Sequence, residues 1–439
     1  MPSPQLSPQR PLTDLAIPEA SAGKLNSSTA AARILQLPES ARPFADKYFL
    51  NTEEILKGEK LNPWVRAQVM IRKGPGIVGG LEEARAIIEK YSPLFEHGGS
   101  ISSLEDGEVF GKGESLMTIE GPIQDIVALE TMYLGVISAE TTLRTDNVTT
   151  IDVEAVQRKM NSVVEAADGR PVIYFGARHW RYNEDKAISA AAFDAGARGC
   201  STDAGAASAG LIGIGTIPHV LENILAWKVG HARAVVEATV AFDRQMDPKI
   251  PRIALIDYNN REIDDSVDTA RALQGRLYGV RVDTCGENIA QGALRGPHGP
   301  EADAWRATGT PLLEVDHPSA KYWYGNGVTV TGVYALRKAL DEAGFKDVKI
   351  VLSSGFADTA KVRAFVEAEK LLGIRLFDSL GVGGVYDSRA AKMDIVQVGE
   401  TAETMIPISK VGRSERPSTR LQRKKPQGGL RESPSETLH

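Results

Sequence analysis

From Pro171 onward, apolar β-rich runs alternate with helical stretches, and each run ends abruptly in polar residues or glycine. The runs fall at 172–175, 253–256, 278–282, 348–352 and 375–377; helical stretches at 184–195, 265–273, 328–343 and 358–370 separate several of them. Parallel strands need long, right-handed, usually helical crossovers, so this rhythm admits a βα barrel or an open doubly wound sheet. The residues that end the runs are Gly176-Ala177-Arg178-His179, Asp257-Tyr258-Asn259, Asp283-Thr284, Ser353-Ser354-Gly355 and Asp378-Ser379. Polar residues gathered at one end of the strands favour the barrel, which assembles its chemistry there.

The preceding region has a different texture. Asn51 or Thr52 is expected to cap a helix ending near Gly58, followed by a strand at 65–72 and a helix at 81–91. Short strands punctuated by Gly107, Gly111 and Gly113 fill 100–121, and helical periodicity returns over 123–145. The expected fold is therefore α/β: an irregular βα barrel beside an α+β N-terminal domain, with flexible N- and C-terminal tails. The expected divisions are an arm at 1–40, the α+β domain at 41–145, the barrel at 146–395, and a C-terminal return and basic tail at 396–439. The segment 287–327, rich in Gly and Pro, breaks the rhythm and reads as a lid or a loop.

Composition narrows the class. The 439 residues carry 51 Lys+Arg and 57 Asp+Glu, a net charge of −6, which argues against nucleic acid as the main partner. Two cysteines, Cys200 and Cys285, make no disulfide framework and suit a reducing compartment. No run reads as membrane-spanning and no apolar core of signal type opens the chain, so a cytoplasmic location is expected. Residues 410–425 hold seven basic groups and one acid; they read as a solvated tail, or as a site for an acidic or phosphate-bearing partner.

Two Gly-rich turns, at 353–355 and 381–384, follow expected strands late in the barrel, where backbone N–H groups can cradle a phosphate. Arg178 stands at a strand end, where its planar fork suits a phosphate or carboxylate; an ion pair with Glu184 or Asp185 is the structural alternative. Arg281 and Asp283 share a strand face, either as a salt bridge or toward a substrate. His219 lies in a Gly-rich, charge-free stretch beside Thr216 and directly after Pro218, at the start of a helix. Zinc patterns, a Walker-type phosphate loop and a GxSxG elbow are missing from the sequence.

The ordered set DKYFLNTEEIL, LETMYLGVIS, PVIYFGARH, GTIPH, ALIDYN, GVRVDT, VKIVLSSGFAD and FDSLGVGG resembles the nicotinate phosphoribosyltransferases, and ISKVGR resembles their C-terminal return. The resemblance spans residues 43 to about 400. It implies transfer of phosphoribosyl from phosphoribosyl pyrophosphate to nicotinate, with Mg²⁺, and ATP hydrolysis through a phosphohistidine. It also implies a homodimer with the site near the subunit boundary. Carried onto this chain, His219 is the phosphorylated histidine, and Asp257 and Asp283 hold ribose hydroxyls or metal. Arg178, with its neighbour His179, and Arg281 contact substrate; Thr216 flanks His219. Ser354, Gly355, Gly381, Gly383 and Gly384 hold the ribose phosphate, and Tyr48 stacks on the pyridine ring.

The sequence departs from the family at Asn51, where Arg is common, at Ser354, where Gly is usual, and at Cys200-Ser201-Thr202-Asp203. Thr202-Asp203 looks like the nicotinamide-using relatives, in which the Asp accepts the amide N–H. A nicotinamide enzyme and a non-catalytic nucleotide-binding relative are the alternatives; quinolinate enzymes are shorter and lack the GT-x-x-H histidine.

Overall fold

The structure, a computed structural model, describes residues 27–428 and 430. Its strands are β1 (Trp64–Ile71), β2 (Gly76–Ile77), β3 (Ser100–Ser103), β4 (Val109–Phe110), β5 (Ser115–Pro122), β6 (Val172–Tyr174), β7 (Gly199–Cys200), β8 (Arg252–Leu255), β9 (Leu277–Val282), β10 (Lys349–Leu352), β11 (Ser379–Val382), β12 (Ala391–Gly399), β13 (Ile406–Pro407) and β14 (Gln422–Lys424). An antiparallel sheet runs β13-β12-β1-β5-β3-β14. A parallel sheet runs β7-β6-β11-β10-β9-β8. The parallel sheet curls into a half-barrel, so the α/β class and the irregular barrel expected from the rhythm are both met.

Local chemistry explains most of the elements. Leu81–Tyr91 buries Leu81, Ala84, Ile87 and Ile88, spaced for one helical face, and its first amide donates to Asp106 at 2.8 Å. Thr359–Leu372 starts on Asp358, whose carboxylate accepts from the Ala360 amide at 3.0 Å. The helical run Ile123–Asp146 is long and apolar enough to cross a membrane, unlike the sequence expectation, but 89% of its most apolar window is buried inside the protein. It is a core helix packed against the Leu81–Tyr91 helix, β12 and the turn that follows β6.

Several expectations are corrected. The helix expected to end near Gly58 is Lys47–Gly58, with Asn51 and Thr52 buried inside it rather than capping it. Its start is set by a tertiary contact, since the Lys47 amide donates to the Ser201 carbonyl at 2.7 Å. Residues 375–377 are not a strand; Leu376 and Phe377 are fully buried and lead into β11, and the Asp378 carboxylate accepts from the Ile350 amide at 2.9 Å. Gly381 is consequently inside β11, and only Gly383 and Gly384 follow it.

The expected flexible arm is helical over Ser27–Leu35, with Ile34 and Leu37 buried. Arg33 is drawn in by two buried carboxylates, Glu83 at 2.8 Å and Glu140 at 3.4 Å. Residues 1–26 and 431–439 lie outside the described residues. The basic tail lies along the surface: β14 pairs with β3, and Arg420 meets Glu114 at 2.8 Å, while most of its residues stay exposed. The return to the antiparallel sheet begins with β12 at Ala391, ahead of the expected boundary. Segment 287–327 contains helices Pro300–Ala307 and Ala320–Trp323, buries Trp323, and packs Trp305 on Tyr334 with ring centres 5.0 Å apart. It is a packed insertion, not a lid, and none of its residues lines the cavity at the strand ends.

Candidate active site

A cavity of about 450 Å³ opens at the C-terminal ends of the parallel strands, where barrels assemble their chemistry. Ten of the residues singled out from the sequence line it: Arg178, His179, His219, Arg281, Asp283, Ser354, Gly355, Gly381, Gly383 and Gly384. Strands β6, β9, β10 and β11 deliver most of them, and the helix His219–Val229 contributes its first residue.

At one wall, the Gly-rich turns leave backbone exposed. Ser354 has φ +67°, a left-handed conformation that explains why glycine is usual there, and Gly355 follows at φ +85°. A Cβ at Gly381 would lie 2.3 Å from the Phe175 ring, so β11 can approach β6 this closely only as glycine. Lys361 donates to the Ser354 carbonyl at 3.0 Å, and burial lowers its pKa to about 8. His179 is pushed down to about 3 by burial and by the Arg178 and Lys392 charges, so it is a neutral imidazole.

Next to the 353–355 turn lies a charged cluster. The ring nitrogen Nε2 of His219 is 3.0 Å from Asp257 Oδ1 and 3.0 Å from Lys410 Nζ, and Lys410 also bonds Asp257 Oδ2. Burial opposes ionisation of Asp257, but the Lys410 and His219 partners hold its carboxyl well below the usual range. Burial and then the Lys410 charge lower His219. Asp283 accepts a bond from Ser353 Oγ at 2.7 Å. Arg281 donates Nη2 to the Ile217 carbonyl at 3.2 Å and keeps a buried Nε without a protein partner.

Arg178 does not pair with Glu184 or Asp185. It donates to Glu130 Oε1 at 3.1 Å, and its Nε is 3.8 Å from Asp46. Burial lifts Glu130 to about 8 even beside that arginine. Tyr48 sits behind the cavity wall with its ring centre 5.7 Å from the Arg178 guanidinium. Asp257 is fully buried behind His219, and Thr216 is half-buried outside the lining. Asp203 points away, to Lys47 at 2.8 Å and the Gly213 amide at 2.8 Å. Asn51 holds the Gly215 carbonyl at 2.8 Å, and a Cβ on Gly215 would lie 2.6 Å from the Tyr48 nitrogen. The glycines of this loop thus let it lie against the start of the Tyr48 helix.

Sequence reasoning missed five lining residues that carry charge: Arg72, Lys392, Asp394, Lys410 and Arg413. They come from the antiparallel sheet and the C-terminal return, which close the cavity from the other domain. The signal was present at Lys410, inside ISKVGR, but the charge density around it reads as a solvated tail.

Mg²⁺ prefers near-octahedral oxygen ligands and keeps several of its waters. His219, Asp257 and Asp283 offer ligand atoms within 4.8 Å of one another, but one is a nitrogen and Asp257 is already bonded to the Lys410 ammonium. These residues do not fit a resident Mg²⁺.

Arginines, lysines, carboxylates and two Gly-rich turns thus line one cavity at the strand ends of an α/β half-barrel. Comparisons with known proteins point to one group of folds. Residues 46–140 match the family model of the quinolinate phosphoribosyl transferase N-terminal domain. The chain is similar to the nicotinate phosphoribosyltransferase pncB1 of Mycobacterium tuberculosis, 26% identical over 196 residues, which are 44% of this chain and 40% of that protein. The match thus spans less than half of the curated relative. Among solved structures, the fold is similar to nicotinate phosphoribosyltransferase from Vibrio cholerae, with a TM-score of 0.58 at 14% identity over 84% of this chain and 88% of that one. It is also similar to the enzyme from Porphyromonas gingivalis, with a TM-score of 0.57 at 16% identity over 85% and 93%. The resemblance to the nicotinate phosphoribosyltransferases read from the motifs stands on these matches.

Proposed function

We propose that this chain transfers the phosphoribosyl group of phosphoribosyl pyrophosphate to nicotinate, giving nicotinate mononucleotide and pyrophosphate, with ATP hydrolysis coupled through His219. The observation that carries this reading is the single cavity in which Arg178, Arg281, Asp283, His219 and the two Gly-rich turns converge. The turns and Lys361 suit the 5′-phosphate. The pyridine nitrogen attacks C1′ as the bond to pyrophosphate breaks, and positive charge gathers on the ribose in an oxocarbenium-like transition state. Asp283 stabilises that charge or its hydroxyls, and the arginines hold the nicotinate carboxylate. Positioning supplies much of the rate, because the pyridine nitrogen is already nucleophilic.

For ATP coupling, the imidazole attacks the γ-phosphorus, an N–P bond forms and ADP leaves; water later breaks that bond. In the tautomer whose Nε2–H donates to Asp257, Nδ1 keeps its lone pair and takes the phosphoryl group. Mg²⁺ enters as the counter-ion of the polyphosphate substrates. The same reading carries a cytoplasmic homodimer, and the exposed Leu211, Ile212 and Ile214 beside the start of the Tyr48 helix are an apolar surface for the second copy.

The test supplies γ-labelled ATP to wild type and His219→Ala. Acid-labile, base-stable label on the wild type alone is expected; equal labelling or equal ATP hydrolysis by the two proteins would overturn the coupling.

A further inference from the structure

We infer that the Lys410 ammonium is the resident cation of the His219–Asp257–Asp283 cluster and closes that cluster to a divalent metal. Two carboxylates and an imidazole within 4.8 Å form a donor set that suits divalent transition-metal ions. In this chain the set is already filled. Lys410 Nζ bonds Asp257 Oδ2 and lies 3.0 Å from His219 Nε2, and both Lys410 and Asp257 are buried. The third member, Asp283, accepts the Ser353 hydroxyl at 2.7 Å. An incoming M²⁺ would meet a fixed positive charge and would have to take Asp257 and His219 away from it.

Lys410 is not a wandering side chain. The Val411 amide donates to the Tyr258 carbonyl at 3.0 Å, next to Asp257. Asn288 Nδ2 donates to the Val411 carbonyl at 3.1 Å, and the Arg413 amide to the Lys410 carbonyl at 2.9 Å. The C-terminal return is thus tied after the lysine to the segments that follow β8 and β9, and before it to β12, where the Ile408 amide donates to the Val396 carbonyl at 3.1 Å. A buried lysine with two partners neutralises charge as an ion would, without exchanging with solvent. Lys410 acts as a positioning residue: it fixes the Asp257 carboxylate that takes the His219 Nε2–H. Resting on the transfer reading, this arrangement keeps the reaction's divalent ion on the polyphosphate.

The test titrates Mn²⁺ into the full chain without nucleotides and reads free Mn²⁺ by electron paramagnetic resonance. Wild type and Lys410→Arg should show no site tighter than about 1 mM, whereas Lys410→Leu should gain one site at least about tenfold tighter, as a vacated donor set would. Lys410→Leu with Asp257→Asn should lose the gain. Equal Mn²⁺ affinity in wild type and Lys410→Leu would overturn the inference. So would Mn²⁺ broadening of the His219 ring resonances in wild type, a readout that needs no variant to fold. Adding inorganic pyrophosphate to wild type should bring Mn²⁺ in as a ternary complex. Its failure to do so would count against the transfer reading alone, because the nucleotide-free arm decides Lys410.

Discussion

Asp203 and Lys47 form an ion pair at 2.8 Å, and the same carboxylate takes the Gly213 amide at 2.8 Å. The pair lies outside the cavity and ties the loop after β7 to the start of the first N-terminal-domain helix. Asp203 is therefore committed to structure and not offered to a pyridine amide. The resemblance of Thr202-Asp203 to nicotinamide-using relatives is one of sequence, and on the proposed reading the choice of acceptor falls to the cavity's arginines. Wild type should prefer nicotinate over nicotinamide by more than about 100-fold in kcat/KM, about 2.7 kcal/mol of discrimination. Asp203→Asn should change that ratio by less than about fivefold, a difference near 1 kcal/mol or less. Wild-type turnover of nicotinamide that disappears in Asp203→Asn would reverse the assignment.

Arg281 enters the cavity from β9 with Nη2 on the Ile217 carbonyl and a buried Nε that has no protein partner. Lysine would keep the charge and lose the planar fork. Arg281→Lys should raise KM for nicotinate or for phosphoribosyl pyrophosphate at least about tenfold, near 1.4 kcal/mol. Steady-state kinetics varying each substrate decide it, and unchanged KM values for both would make Arg281 a structural residue.

Lys361 gives the site a pH dependence. Burial lowers its pKa to about 8, so without ligand it loses its charge as pH rises through that value. A bound phosphate favours the charged form and raises the pKa, so binding takes up a proton above pH 8. Affinity for the phosphoribosyl donor should therefore be flat between pH 6.5 and 7.5 and fall above about 8, by at most tenfold per pH unit. Isothermal titration across that range should show a shallower high-pH slope in Lys361→Met, the remainder coming from Lys392, whose pKa burial also lowers to about 8. A slope of the opposite sign, or one unchanged in the variant, would remove Lys361 from the site.

What the sequence made legible follows from what each residue's neighbours in the chain could do. The helix Leu81–Tyr91 and the strands β6, β9 and β10 carry their own periodicity, so their positions were readable. Residues at strand ends, such as Arg178 and Asp283, were readable because a parallel fold gathers them. The start at Lys47 was not, because a bond to Ser201, far along the chain, sets it. Leu376 and Phe377 read as a strand because apolar runs of that length look alike in strands and in buried connections. The role of Lys410 was hidden for a different reason. A lysine among basic residues reads as solvated until a buried carboxylate 153 positions away claims it.

The N-terminal helix depends on a buried charge network. Arg181 meets Glu83 at 3.0 Å and also bonds Glu140, and Arg33 reaches both carboxylates. Removing the central cation leaves two buried carboxylates with too little positive charge. Arg181→Met should cost about 3–5 kcal/mol, seen as a lower urea midpoint at unchanged m. A loss below about 1 kcal/mol would show that Arg33 alone can neutralise the pair.

The central claim is that one cavity joins a pyridine carboxylate to a phosphoribosyl donor. The most direct measurement is a competition assay: phosphoribosyl pyrophosphate, Mg²⁺ and ATP with equal nicotinate, nicotinamide and quinolinate, products separated by mass and any CO₂ release recorded. The account predicts nicotinate mononucleotide as the dominant product, pyrophosphate in equal amount and no CO₂. Nicotinamide mononucleotide as the main product, CO₂ release from quinolinate, or no nucleotide at all would contradict it.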